Sequence, residues 1–152
     1  MIPVSVLTFL TTQKMKDAQV LLKNKRHSAA IYLMGYALEY ALKRKICSTL
    51  LFTSGFPEYR HELNGYITTL NSNPPIAANP ITFTNVMEIK NHKLDKLLVY
   101  SGAEPRIKLA YFNEWSIVKD WNPENRYVRQ RITNVKATAF INAANILLSQ
   151  IV

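Results

Sequence analysis

From Ala29 to Leu38 the chain carries no charged residue, and then Glu39 and Lys43 appear one helical turn apart. A helix apolar on every side belongs inside a bundle and not on its surface. The run before its first charge is too short to span a bilayer. The stretch Tyr32–Cys47 therefore predicts a buried central helix holding an acid–base pair. Every other element has to be arranged around it.

The flanking pattern is helical as well. Leu7, Leu10, Met15, Ala18, Leu21 and Leu22 recur at roughly helical spacing and predict a first helix over 5–24. Asn24 to Ser28 interrupts that pattern, which makes Ser28 the cap of a second helix. This second helix continues to about Leu51, ahead of the breaker cluster Ser54-Gly55-Phe56-Pro57. Leu63, Tyr66, Ile67 and Leu70 give one short helix within 58–70. The stretch 71–80 holds three prolines and three asparagines, which oppose both helix and sheet. It reads as part of an irregular insertion over about 52–90, functional or mobile.

Leu94, Leu97 and Leu98 mark a helix from about Asn91 to Ser101. Pro105 opens another, through Val118, with Ile107, Leu109, Ala110, Phe112, Trp115 and Val118 on its apolar side. After a break at Asn122-Pro123-Glu124-Asn125, a last helix is predicted from about Val128 to Ser149. The fold class is all-α, in a single domain over 1–152.

Nineteen Lys and Arg against ten Asp and Glu give a net charge of +9, which favours polyanions or an acidic protein surface as partners. Apolar content of 48% and charged content of 19% are those of a globular protein. The single cysteine, Cys47, excludes an intrachain disulfide framework and reads as a packed thiol in a reducing compartment. The first ten residues lack a basic leader and a cleavage site, so a signal peptide is not expected and the cytoplasm is.

Three pieces, taken in order, resemble the HEPN superfamily of small helical bundles. They are Gly35-Tyr36-Ala37-Leu38-Glu39-x3-Lys43, the helix start His92-Lys93-Leu94-x2-Leu97, and Trp121-Asn122-Pro123-Glu124-Asn125-Arg126-Tyr127 before a long final helix. The resemblance spans roughly Lys14 to Leu148. It implies an up-and-down bundle of four to five main helices that commonly dimerises. It also implies work near RNA, nucleotides or prokaryotic conflict systems, often beside a nucleotidyltransferase-like partner. The chain departs from the family at one place. Active HEPN ribonucleases carry an arginine followed, after four to six residues, by a histidine, and none of the seven arginines here has one in that window. Nuclease activity by that route is not expected.

Glu39 and Lys43 share a helix face at i, i+4, where a carboxylate meets an ammonium. Buried, each would need the other. As a functional group they would line a polar pocket completed by Arg126 or Tyr127; as a structural pair they would tie the helix to its neighbour. Tyr32, Tyr36 and Tyr40 form a stripe suited to core packing or, in an open cleft, to nucleobase stacking. Gly35 in mid-helix costs about 1 kcal/mol relative to Ala, and close approach by another helix would compensate it. His92, after the cap residue Asn91, would hydrogen-bond the Trp121–Tyr127 loop or titrate near neutral pH. His61 reads as solvated. The three histidines and one cysteine show no metal-ligand spacing.

Arg126, Arg129, Arg131 and Lys136 form one basic run, and Lys43-Arg44-Lys45 another. If the Arg126 loop folds over the Lys43 end, as the family pattern suggests, the two make one anion-attracting groove. The function expected is thus that of a degenerate, non-catalytic HEPN-type protein in a toxin–antitoxin or defence setting. It would bind RNA, nucleotide phosphate or a partner protein through Glu39, Lys43, Arg44, Arg126 and Tyr127, with His92 in support. The alternatives are a metal-independent ribonuclease with a rearranged site, and a pure protein-interaction module. A homodimer is expected; a membrane, a metal and a cofactor are not.

Overall fold

The computed structural model describes residues 1–72, 85–127 and 131–151, with the backbone alone at 69–72 and 126–127. Seven α-helices lie among them: α1 (Val4–Lys23), α2 (His27–Thr49), α3 (Arg60–Ser72), α4 (Leu94–Tyr100), α5 (Glu104–Ala110), α6 (Phe112–Val118) and α7 (Asn134–Gln150). Two 3-10 turns, Val86–Glu88 and Pro123–Tyr127, join them. Among the described residues the only extended pairing is a single bridge between Ile2 and Phe56. The protein is an all-α bundle. The Pro/Asn-rich segment falls, from residue 73 to 84, outside the described residues, as does Arg129.

The charge-free stretch forms the innermost helix. α2 packs against α1, α4, α7 and the Pro123–Tyr127 turn. Met34, Ala37, Leu38, Leu42 and Ile46 are fully buried on it, and Cys47 nearly so. Burial pushes the Cys47 thiol up to about 12, so it packs as a small hydrophobe and stays un-ionised. The helix is not covered on every side, however. Tyr32, Tyr36 and Tyr40 stay half-buried along one edge, where a phenol can pack its ring and keep its hydroxyl near water.

The helix ends depart from several sequence expectations. α2 begins at His27, so Ser28 lies inside it and is not its cap, because the α1–α2 hairpin closes through its own backbone. Lys25 takes a left-handed conformation (φ 57°), its N–H donates to Leu22 O, and the Arg26 N–H donates to Leu21 O. This is the paired bonding of a Schellman turn. α7 begins at Asn134, six residues later than expected, where Thr133 Oγ1 accepts the Lys136 N–H. α3 extends to Ser72, two residues into the Pro/Asn-rich stretch.

The helix expected over 105–118 is broken at Tyr111 (φ −133°) into α5 and α6. On a straight helix Ile107 and Trp115 would point about 80° apart. The break lets both bury, together with Val118, and leaves Leu109 and Phe112 exposed at 89% and 63%. Tyr66 holds α3 to the segment after α2, stacking on Phe52 with ring centroids 4.5 Å apart. Its hydroxyl donates to Gly55 O and accepts from the Ser54 N–H.

Candidate functional site

Glu39 is 1% exposed and uses both carboxylate oxygens. Oε1 accepts from Lys43 Nζ at 2.6 Å, and Oε2 accepts from His92 Nδ1 at 2.8 Å. An ionised carboxylate has no hydrogen to give, so the imidazole carries its hydrogen on Nδ1 in this contact. That fixes the ring and turns Nε2 outward on a side chain 55% exposed. Lys43 is nearly buried, and its ammonium also lies 5.3 Å from the centre of the Phe56 ring, a cation–π distance. Glu39, Lys43 and His92 are thus brought together as one cluster. The Lys43 charge is committed inside that cluster and adds little to the field outside it.

His92 reaches this position from just ahead of α4. Lys93 is the residue that precedes the helix, so His92 is not in its first turn as the sequence suggested. Asn91 does not cap α4 either. Its Oδ1 accepts the Lys93 N–H and its Nδ2 donates to Glu88 O, pinning the approach strand of the loop so that His92 faces α2. His61, as expected, is exposed, and it stacks on Tyr59.

Trp121 provides the second anchor. A Cβ placed on Gly35 would meet the Trp121 indole at 2.0 Å. The glycine is therefore explained not by another helix but by the turn after α6, whose indole lies flush on the α2 backbone. Trp121 also meets the Tyr36 ring edge-on, with centroids 5.1 Å apart. Tyr36 in turn stacks on Tyr40 and meets Tyr32 and His92 edge-on. Burial first, and then the bond from Tyr32, raises the Tyr36 phenol well above its usual value; burial and the Glu39 charge raise Tyr40. Both hydroxyls stay protonated at neutral pH.

The Trp121 turn docks at the Ser28–Tyr36 half of α2. Lys43 lies eight residues beyond Gly35, about 12 Å further along the axis. Where the turn meets α2, a cavity of about 560 Å³ opens. Ile31, Ile117, Phe140 and the rings of Tyr32 and Trp121 form its apolar walls, with Ser28, Asp120, Asn122, Asn125 and Lys136 as its polar groups. Exposed Lys25, Arg26 and Arg131 neighbour these lining residues in the chain. Among the described residues, neither the Asp120 carboxylate nor the Lys136 ammonium has a hydrogen bond or an ion pair. His27 Nδ1 contacts Ile132 O at 3.2 Å and ties α2 to the segment that leads into α7.

Arg44 is not part of this arrangement. It lines a separate hollow of about 400 Å³ with Lys45, Cys47, Ser48, Leu51 and Val4. The side chains of Arg126 and Tyr127 lie outside the described residues; their backbone continues the turn that carries Asn125. Sequence reasoning missed Asp120, Ile117 and Phe140 as cavity residues, and it read Ser28 only as a cap. The one available signal was the amide-rich run Asn122 to Asn125 directly after a buried tryptophan.

Among the described residues no group of three His, Cys, Asp or Glu could hold a metal ion, and no helix is long and apolar enough to cross a membrane. Comparison with known protein families, with characterised proteins and with solved structures returns no match.

Proposed function

We propose that this chain is a non-catalytic, HEPN-type helical domain that binds nucleotides or single-stranded RNA. One observation carries the reading: an aromatic-walled cavity with an unpaired lysine, flanked in sequence by further basic residues, where the Trp121 turn meets α2. Stacking of bases on aromatic rings beside positive charge is the usual way single strands are held without sequence-specific machinery. The overall excess of cations supplies long-range attraction for a polyanion. Under this reading the protein works in the cytoplasm, as a homodimer and beside a nucleotidyltransferase-like partner in a toxin–antitoxin or defence system.

Filter binding of a short single-stranded RNA over a salt series tests it. Affinity falls as salt rises, and Lys136→Ala weakens binding and flattens the logarithmic salt slope by about 1. Affinity indifferent to salt, to Lys136→Ala and to Trp121→Ala ends the reading.

The Glu39–His92 contact supports a second reading, the metal-independent ribonuclease with a rearranged site. A buried carboxylate that orients an imidazole and leaves Nε2 free is the arrangement a general base requires. Incubating the protein with structured RNA and chelator decides it. Cleavage lost in His92→Gln supports an enzyme, and intact RNA excludes one.

A further inference from the structure

The polar groups of the cavity specify more than a generic nucleotide. Asp120 is its sole acidic lining residue and Lys136 its sole basic one among the described residues, and they do not pair with each other. A free acid and a free cation in one cavity can serve two different ends of a ligand. Its volume, about 560 Å³, lies within the range of small-molecule sites.

Resting on the nucleotide-binding reading above, we propose that this cavity selects guanine. A carboxylate only accepts hydrogen bonds, through two oxygens side by side. Guanine offers two adjacent donors on one edge, the N1–H and the N2 amine. Adenine and cytosine each present a donor beside an acceptor there, and uracil a single N–H between two carbonyls. Asp120 therefore matches guanine and leaves an acceptor facing an acceptor with adenine or cytosine. Asn122 adds to the match. Its Oδ1 already accepts the Glu124 N–H, so the hydrogens on its Nδ2 are what it has left to offer, and guanine O6 is an acceptor. Tyr32 and Trp121 supply rings for the base plane.

The phosphate is assigned to the cationic lining residue, Lys136. Lys136 lies in the first turn of the 17-residue helix α7. The positive end of that helix dipole adds to its charge. The shared chemistry is a guanine ring with a phosphate, whether as a free mononucleotide or within an RNA strand.

Calorimetric titration of the full chain with GMP, IMP, AMP and UMP, and with short oligo-G and oligo-A RNA, tests the proposal. GMP is expected to bind about 10- to 100-fold tighter than AMP, with IMP, which lacks the N2 amine, in between. Asp120→Asn, at an exposed position, abolishes the preference for guanine. Lys136→Met weakens GMP but leaves guanosine unchanged. A guanine preference seen only with RNA, and lost in Asp120→Asn, supports the proposal with the strand as the source. Equal binding of GMP and AMP, or a preference that survives Asp120→Asn, overturns guanine selection while nucleotide binding stands. Absence of binding by every nucleotide and RNA overturns both.

Discussion

Gly35→Ala is the most informative single change, because helix propensity and packing predict opposite signs. Alanine in place of glycine in a helix interior stabilises by about 1 kcal/mol. Here the new methyl would lie 2.0 Å from Cε2 and Nε1 of Trp121 and 2.3 Å from Cδ2. Carbon atoms rest at roughly 3.5–4.0 Å, so the indole has to withdraw by about 1.5 Å or more. Trp121 is 7% exposed and packed on Tyr36, so a rigid bicyclic ring has little room to slide. Expelling it forfeits a contribution on the scale of Trp→Ala, about 3–5 kcal/mol. Subtracting the propensity gain leaves a net loss of about 2–4 kcal/mol.

Urea denaturation followed by far-ultraviolet circular dichroism measures this, and a second background isolates the cause. With Trp121→Ala already present the clash is gone, and Gly35→Ala should then stabilise by about 1 kcal/mol. The sign reversal between backgrounds is the signature of indole-on-backbone contact. A Gly35→Ala variant that is more stable than wild type, or a loss of equal size in both backgrounds, refutes the argument. The same variant should also lose nucleotide binding, since the displaced indole is a wall of the cavity.

Three further outcomes follow from the geometry. The Met1 ammonium, 2.6 Å from Glu62, is the main cause that holds the Glu62 carboxyl down at about 2. A depressed carboxyl stabilises the fold above its unfolded value near 4.5, and that stability is lost as pH falls toward about 2. Urea midpoints between those limits should therefore drop more for wild type than for Glu62→Gln. Thr133→Ala removes the cap of α7 and should cost about 1 kcal/mol by the same assay; no change would mean that the helix start does not depend on that hydroxyl. Lys25→Gly relieves a left-handed non-glycine residue and should raise the thermal midpoint, by the equivalent of up to about 1 kcal/mol. A lower midpoint would show that the Lys25 side chain has a stabilising contact that outweighs the strain.

Helix identity was legible in the sequence, and helix ends were less so. The charge-free run of α2 announces a core helix because no other soluble environment accepts it. The Schellman turn at Lys25 could not be read, because its left-handed residue is not glycine. The break at Tyr111 is likewise set by tertiary packing, which buries Ile107 and Trp115 at the cost of exposing Leu109 and Phe112. At the site, the Glu39–Lys43 pair was readable from i, i+4 spacing, whereas the identity of the third partner, His92, depends on a contact 53 residues away. That Asp120 and Lys136 line one cavity depends on how the turn after α6 meets α7, and no local pattern encodes that.

The buried Glu39–Lys43 pair is hard to explain by stability alone. Removing ions from water is expensive, and hydrophobic replacements of similar volume often match or exceed a buried pair by 1–4 kcal/mol. What the pair supplies is orientation: Glu39 is the fixed acceptor that aims His92, and Lys43 holds the other carboxylate oxygen in place. Single and double replacements separate the two roles. Glu39→Leu alone leaves a buried ammonium without its carboxylate and should cost about 3–5 kcal/mol. Glu39→Leu with Lys43→Met should recover wild-type stability to within about 1 kcal/mol, or exceed it. The half-exposed His92 can then turn to water, and its Nδ1–H should lose the slow solvent exchange that the Glu39 bond confers. A double variant as unstable as the single would show that the pair holds the bundle together, and a protected imidazole N–H in the double variant would show that something other than Glu39 aims the ring.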